Sequence, residues 1–369
     1  MKIFMLLDRA TELDIEGQAE QILPLEEPSY RRDLALVVPH LDRSRLQVQL
    51  CAVFGKREDG RTLNARSAFD VVAWRRLAAL LRHEDIELIH AYGPVSAFFA
   101  AIAGRMAGIA TLASVYNLPN YRAYNAYQQV WQRIQQAVVR WGIDRVIVPS
   151  DLLKMVSWRF RYPKQRVIVV YPGVQIRSED TPIPDRESLG LPMGPLATMI
   201  SPVAPDYGYK ALMDAVPRIL QRVPTAHIAI VGTGPLMDKL RKQSRILPVH
   251  WLGEHVDIFG VMAASDVIVV HPRYDSLPRV VLEAAAFGKP VVATRVYGIS
   301  DVVDEHGTGL LVTYEDAHDL AIQVSRLLLQ PVFKSQLGEA ARKRAVRFSL
   351  ETQIEKMTQL YEETVYATR

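Results

Sequence analysis

The sequence predicts an α/β protein of two domains, each built on a doubly wound parallel sheet. Three observations carry this. The chain has 369 residues, too many for a comfortable single core and suited to two domains of ordinary size. Short apolar, β-branched runs alternate with helical stretches, the pattern of βα units feeding a parallel sheet. A polar stretch with Pro182, Pro184, Pro192 and Pro195 separates two such series and reads as a linker. The expected boundaries are 1–176 for the first domain, 177–194 for the linker and 195–349 for the second domain, followed by a closing helix over 350–369.

In the first half the strand signals are residues 3–7, 48–53, 88–90, 110–115 and 146–148. Between the second and third, residues 69–82 have helical periodicity, with Val72, Leu77, Leu80 and Leu81 as the expected buried stripe. Residues 95–106 form a second helix, small and apolar enough to be packed inside. A strand and a Pro-Gly turn, VIVVYPGV over 167–174, close the half. The second half restarts with strands at 197–201, 228–231 and 249–252 and helices near 211–222 and 236–244. Helices over 319–329, 332–345 and 349–364 complete it.

Composition narrows the class. Hydrophobic residues make up 49% and charged residues 23%, globular values that exclude wholesale disorder. Cys51 is the only cysteine, so no intrachain disulfide can form, which fits a reducing, cytoplasmic setting. The apolar start at 1–7 meets Asp8 and Arg9, too early for a signal-peptide core. The best candidate run, 91–104, ends at Arg105, short of a bilayer span.

Net charge is +4, unevenly spread: residues 1–175 hold 23 Lys/Arg against 17 Asp/Glu, and the remainder 21 against 23. Residues 121–145 mix Tyr121, Tyr124, Tyr127, Trp131 and Trp141 with Arg122, Arg133, Arg140 and Arg145. Such a helix can lie on an anionic membrane surface. It can equally be a solvated helix that packs its aromatics inward. No nucleic-acid recognition motif accompanies the charge, so nucleic acid is not an expected partner.

The most informative stretch is 271–294, HPRYDSLPRVVLEAAAFGKPVVAT. It follows a buried-strand run at 266–270. A helix capped by Ser276, with Pro278 near its first turn, runs over 280–287 and stops at Gly288 and Pro290, and 291–294 is the next strand. The loop carrying Asp275 lies at the carboxyl end of a strand, where open α/β sheets bind ligands. The helix's first amides suit a phosphate, and Glu283, further in, could accept hydrogen bonds from a ribose diol. On the plainer reading Glu283 points to solvent and Asp275 sits in an ordinary turn.

The stretch Asp275-Ser276-Leu277-Pro278-Arg279-Val280-Val281-Leu282-Glu283, followed by Ala-x-Gly-x-Pro-Val-Val-Ala-Thr, resembles the E-x7-E signature of retaining glycosyltransferases of family four. The first acid here is Asp rather than Glu. The resemblance implies the GT-B fold, two Rossmann-like domains facing across a cleft, with the closing helix crossing back to the first domain. It extends to Val231-Gly232-Thr233-Gly234-Pro235, Leu252-Gly253 and Asp257, 298–303 and 307–312. Taken alone the Gly-x-Gly turn is weak: it lacks the Lys of a P-loop and has Met237 where a dinucleotide fingerprint wants glycine.

The resemblance assigns Glu283 to the ribose, Asp275 with the residues after it (Ser276, Leu277, Pro278) to donor sugar and phosphates, and Gly232, Gly234, His255 and Val256 to the nucleotide. Gly17 and Tyr116 fall on the acceptor side, Tyr116 standing where the family often has histidine. The two cations that hold the diphosphate in the family are replaced by Ile200-Ser201-Pro202 and Tyr207-Gly208. Lys210 is the expected substitute, with Lys289 and Arg279 behind it. No Asp-x-Asp motif occurs, so no metal or other cofactor is expected beyond a UDP- or GDP-sugar donor as substrate.

The resulting expectation is hexose transfer from a nucleotide-diphosphate sugar to a hydroxyl of a glycan or lipid-linked acceptor, at the cytoplasmic face of a membrane or free of it. The missing cation pair motivates an alternative, a catalytically silent homologue serving as a binding or partner subunit in glycan assembly. A sugar-nucleotide epimerase on the same fold is a third reading.

Overall fold

The computed structural model describes residues 1–9, 29–55, 62–116, 126–157, 162–176, 182, 184–254, 257–274 and 277–368. These residues form two compact units. One comprises the described residues up to Tyr171 together with those from Glu351 onward, and the other spans Pro172 to Leu350.

The first unit holds six strands: β1 (Lys2–Arg9), β2 (Gln47–Phe54), β3 (Leu88–Tyr92), β4 (Ala110–Ser114), β5 (Arg145–Val148) and β6 (Val167–Val169). All pair in parallel in the order β2-β1-β3-β4-β5-β6, with Ile3 opposite both Val48 and Leu88. Between them run α1 (Ser29–His40), α2 (Val71–His83), α3 (Pro94–Ala107), α4 (Ala126–Gly142) and α5 (Asp151–Val156). Every residue of β3 and β4 is buried, as expected for central parallel strands covered on both faces. α2 is capped by Asp70, whose carboxylate accepts the Ala73 amide at 3.0 Å.

The buried face of α2 is Ala73, Leu77, Ala78 and Leu81. Leu77 and Leu81 match the expected stripe and Leu80 packs partly against the core, but Val72 faces solvent. The correction is one of phase: the helix starts at Val71, and Ala73, one residue on, takes the inward position. α1 is not among the helices the sequence predicts. It contains Pro39 and has no acid in its first turn, so its sequence carries little helical signal.

The second unit repeats the scheme with β7 (Leu196–Ile200), α6 (Tyr209–Arg222), β8 (His227–Val231), α7 (Met237–Gln243), β9 (Val249–Gly253) and α8 (Ile258–Ala264). It continues with β10 (Val267–Val270), α9 (Arg279–Ala286), β11 (Val291–Thr294), α10 (Tyr297–Val302), β12 (Gly309–Val312), α11 (Ala317–Leu329) and α12 (Pro331–Ala345). The parallel order is β12-β11-β10-β7-β8-β9. Winding therefore reverses between β7 and β10, and the carboxyl ends of those two strands flank the crevice where such sheets take ligands. A single apolar core joins β7, β8 and β10 to α6 and α11 through Met199, Leu212, Ile230, Val269 and Val324.

The final helix, α13 (Leu350–Thr368), belongs to the first unit. Its Gln353 donates to Asp33 at 2.9 Å, its Tyr361 hydroxyl meets His90 Nδ1 at 2.9 Å, and its Glu362 meets Arg45 at 2.5 Å. Among the described residues no helix is long and apolar enough to cross a membrane.

Candidate functional site

The carboxyl edge of the second sheet is built by short loops that brace one another. After β7, Ser201 donates its amide to Val231 and Val203 donates to Thr233 at 2.7 Å, so the loop following β7 lies against the Gly232–Gly234 turn following β8. A Cβ at Gly234 would lie 2.6 Å from the Val203 carbonyl oxygen, and φ at Gly234 is +153°. Only glycine lets these two backbones approach so closely. The Thr233 hydroxyl donates to Glu254 at 3.0 Å, tying in the end of β9.

Across the switch point, Gly208 at the start of α6 (φ +73°) touches His271 at the end of β10. His271 is buried, and its Nε2 accepts the Glu315 amide at 3.2 Å, which places its proton on Nδ1. Burial pulls this imidazole down to about 4, with Asp316 opposing the shift, so it is neutral at pH 7. Tyr314 stacks on it with ring centres 5.6 Å apart. Arg273, two residues on, donates its amide to the Asp206 carbonyl at 2.7 Å, tying the loops after β7 and β10 to each other.

α9 leads away from this edge. Pro278 itself occupies the cap position, not the first turn, and makes no side-chain cap bond. The helix ends at Ala286, just ahead of Gly288. Glu283 does not face solvent. It is 3% exposed, and its carboxylate lies 3.6 Å from the guanidinium of Arg279, one turn earlier. The same guanidinium donates to the Gly173 carbonyl at 2.6 Å. Arg279 thus holds Glu283 and the Pro-Gly turn together and is not available as a diphosphate cation. Lys289 is not available either. It precedes β11, so it stands at the amino edge of the sheet, opposite the ligand loops, where burial lowers its ammonium and Asp266 raises it.

Lys210 is exposed at the second position of α6, on the ligand edge. The two positions where the resemblance expects cations, 202 and 207, are filled otherwise. Tyr207 packs against the apolar core, and the Ser201 hydroxyl meets the buried Tyr209 hydroxyl at 3.0 Å. Leu277 is buried and Pro278 partly so. Asp275, Ser276, His255, Val256 and Gly17 lie outside the described residues.

In the first unit, Tyr116 donates its hydroxyl to the buried carboxylate of Asp33, which Gln353 also donates to. His90 sits nearby between Tyr361 and Ser114, at 2.9 and 2.8 Å, and burial lowers it to about 3. Asp33, Ser114, Tyr116, Gln353 and Met357 line a small cavity at the carboxyl edge of this sheet. Sequence reasoning singled out Tyr116 alone. Its partners stand 83 or more residues away in the chain, beyond the reach of any local pattern.

Two family models match: Glycosyltransferase Family 4 over residues 33–177 and Glycosyl transferases group 1 over residues 194–330. The alpha-D-kanosaminyltransferase of Streptomyces kanamyceticus is 23% identical over 77% of this chain and 79% of its own length. A D-inositol 3-phosphate glycosyltransferase of Saccharomonospora viridis is 30% identical over 61% of this chain, which spans 57% of that relative. The structure of Anabaena HepE in complex with UDP superposes with a TM-score of 0.76 at 18% identity, covering 98% of this chain and all of the other. The two sheets have the architecture of the GT-B fold, and the chain belongs to the family-four glycosyltransferases of group 1.

Proposed function

We propose that this chain is a retaining glycosyltransferase that moves a hexose from a UDP- or GDP-sugar to a hydroxyl of a glycan or lipid-linked acceptor. The observation that carries the reading is the braced switch point between β7 and β10, from which α9 leads with Glu283 buried in its interior. The inositol and kanosaminyl relatives support sugar transfer, and the UDP complex of HepE supports a nucleotide-sugar donor.

In this reading the ribose hydroxyls donate to Glu283, which keeps Arg279 as its counter-ion. The Gly232–Gly234 turn borders the nucleotide, together with His255 and Val256. The diphosphate meets the amides at the start of α9 and Lys210, while Asp275 and the residues after it hold the sugar. The acceptor oxygen bonds to the anomeric carbon on the face the leaving phosphate vacates, the carbon–phosphate-oxygen bond breaks, and the acceptor's proton passes to that phosphate. Gly17 and Tyr116 belong to the acceptor side, with Asp33 orienting the Tyr116 hydroxyl.

A second reading, a silent homologue that binds donor or partner without turnover, is favoured by one observation: Pro202 and Tyr207 stand where the diphosphate cations would be, and Tyr207 packs against the core. Thermal unfolding with millimolar UDP, GDP, ADP and their sugars separates the cases. A ligand that binds only the native state at a hundred times its Kd stabilises by about 2.7 kcal/mol. Stabilisation by one nucleotide, with sugar transfer or slow donor hydrolysis, supports catalysis. Stabilisation without either supports the silent homologue, and no response to any nucleotide sinks the transferase.

A further inference from the structure

The first unit presents a face that the donor chemistry does not use. α2, α3 and α4 follow β2, β3 and β4, which are succeeded by strands in the same direction along the sheet, so right-handed crossovers leave all three helices on one face. α3 lies between the other two and touches both. These helices carry Arg75, Arg76, Arg82, Arg105, Arg133 and Arg140 and not one Asp or Glu. Acids stand only at their ends: Asp70 caps α2, Glu84 and Asp85 follow it, and Asp144, after α4, pairs with Arg105 at 3.0 Å. On the opposite layer α13 has four glutamates against one lysine. The sheet therefore separates a cationic layer from an acidic helix.

The cationic layer is also apolar where it meets water. On α4, Val130 is 54% exposed, Ile134 41% and Trp141 63%. Spacings of four and seven residues put them within about 40° of one another on the helix, a stripe roughly 16 Å long. Trp131, one position off the stripe, packs inward against Phe98 with ring centres 5.3 Å apart. Phe69, itself 51% exposed, meets Trp131 at 4.8 Å, and Val72 at the start of α2 extends the apolar surface. Met106 is exposed at the end of α3, and Arg105 beside it reaches the Trp141 carbonyl at 3.5 Å. Thus α4 divides its two tryptophans, one packed against the core and one in solvent among arginines.

We propose that this face docks on an anionic lipid surface, with Trp141, Ile134, Val130 and Val72 entering the boundary between headgroups and acyl chains and the arginines meeting lipid phosphates. An apolar stripe bearing tryptophan, flanked by arginine and free of acid, is the composition of an interfacial helix. Basic residues beside an anionic leaflet add attraction that salt screens. A second copy of the chain would bring the same arginines against each other, and nucleic acid would leave the aliphatic stripe in water. The proposal does not depend on turnover and stands whether or not the donor reading holds.

The test is flotation of the full chain with phosphatidylcholine vesicles and with vesicles in which phosphatidylglycerol replaces part of it, at low and high salt. Binding should require phosphatidylglycerol and fall with salt. Trp141→Ala with Ile134→Ser, and separately Arg75→Glu with Arg76→Glu, should each weaken it at least about tenfold. All four side chains are exposed, so both variants should unfold at the parent's temperature, which separates lost docking from lost folding. Equal binding to neutral vesicles, no binding to either, a dimer that dissociates in the Trp141→Ala variant, or tighter binding to a duplex than to vesicles would each overturn the proposal.

Discussion

Gly208 and His271 close the second sheet's switch point against each other. A Cβ on residue 208 would lie 2.2 Å from the imidazole Cδ2 and 2.3 Å from the His271 carbonyl oxygen. The ring cannot retreat without giving up the Glu315 amide, and the carbonyl belongs to the chain leaving β10. Gly208→Ala therefore meets a backbone clash on top of a φ of +73°, which alone costs an L-residue roughly 1–2 kcal/mol. Urea unfolding should show a loss above about 2 kcal/mol, since overpacking adds to the strain. A loss under half of that would mean that the loops after β7 and β10 are not braced as described.

His271 and His90 are both buried bases whose folded forms resist protonation. Their pKa values, about 4 and about 3, lie below the unfolded value near 6.5. In the window between, the unfolded chain binds protons that the folded chain does not, so stability falls as pH drops from 6.5 toward 4. For His271 the shift corresponds to roughly 3 kcal/mol. His271→Asn should lower stability at pH 7 and flatten its decline between pH 6.5 and 4. A decline as steep as the parent's would remove His271 as its source.

How much of this could be read from the chain follows from the range of each interaction. The strands announce themselves because central parallel strands are buried on both faces and must be continuous apolar runs, as Val267–Val270 and Val291–Thr294 are. Helices with a polar face, such as α2, were equally plain, but the phase that turns Val72 outward depends on where the first turn begins. α8, at seven residues and apolar almost all round, gives no periodicity to find. The Asp33–Tyr116–Gln353 cluster joins three distant segments and has no local signature. The Arg279–Glu283 spacing of four was visible, yet burial decides whether such a pair is a surface ornament or a fixed element, and burial is a tertiary property.

That pair makes a separable prediction. Removing one partner of a buried ion pair costs roughly 3–5 kcal/mol, because the other charge is left in the interior. Arg279→Met and Glu283→Gln should each destabilise the chain, and the double variant should lose less than the sum, giving a coupling of about 1 kcal/mol or more. Additive losses would show that the 3.6 Å approach carries no energy. If Glu283 also receives the ribose, Glu283→Gln should weaken UDP or GDP binding more than Arg279→Met does, measured by calorimetry at a temperature where both variants are folded.

Lys210 isolates the question of the missing cations. It is exposed on α6, so Lys210→Ala should shift stability by no more than about 0.5 kcal/mol. If its ammonium swings onto the diphosphate, the variant should bind UDP or GDP more weakly while its affinity for the bare nucleoside is unchanged, because the nucleoside has no charge for Lys210 to meet. Turnover should fall on the order of a hundredfold, the usual consequence of removing a charge partner from a leaving group that gains charge in the transition state. An unchanged diphosphate affinity would leave only the amides at the start of α9 to hold the leaving group. With Pro202 and Tyr207 offering no charge, that result would move the chain from the enzymes to the silent homologues.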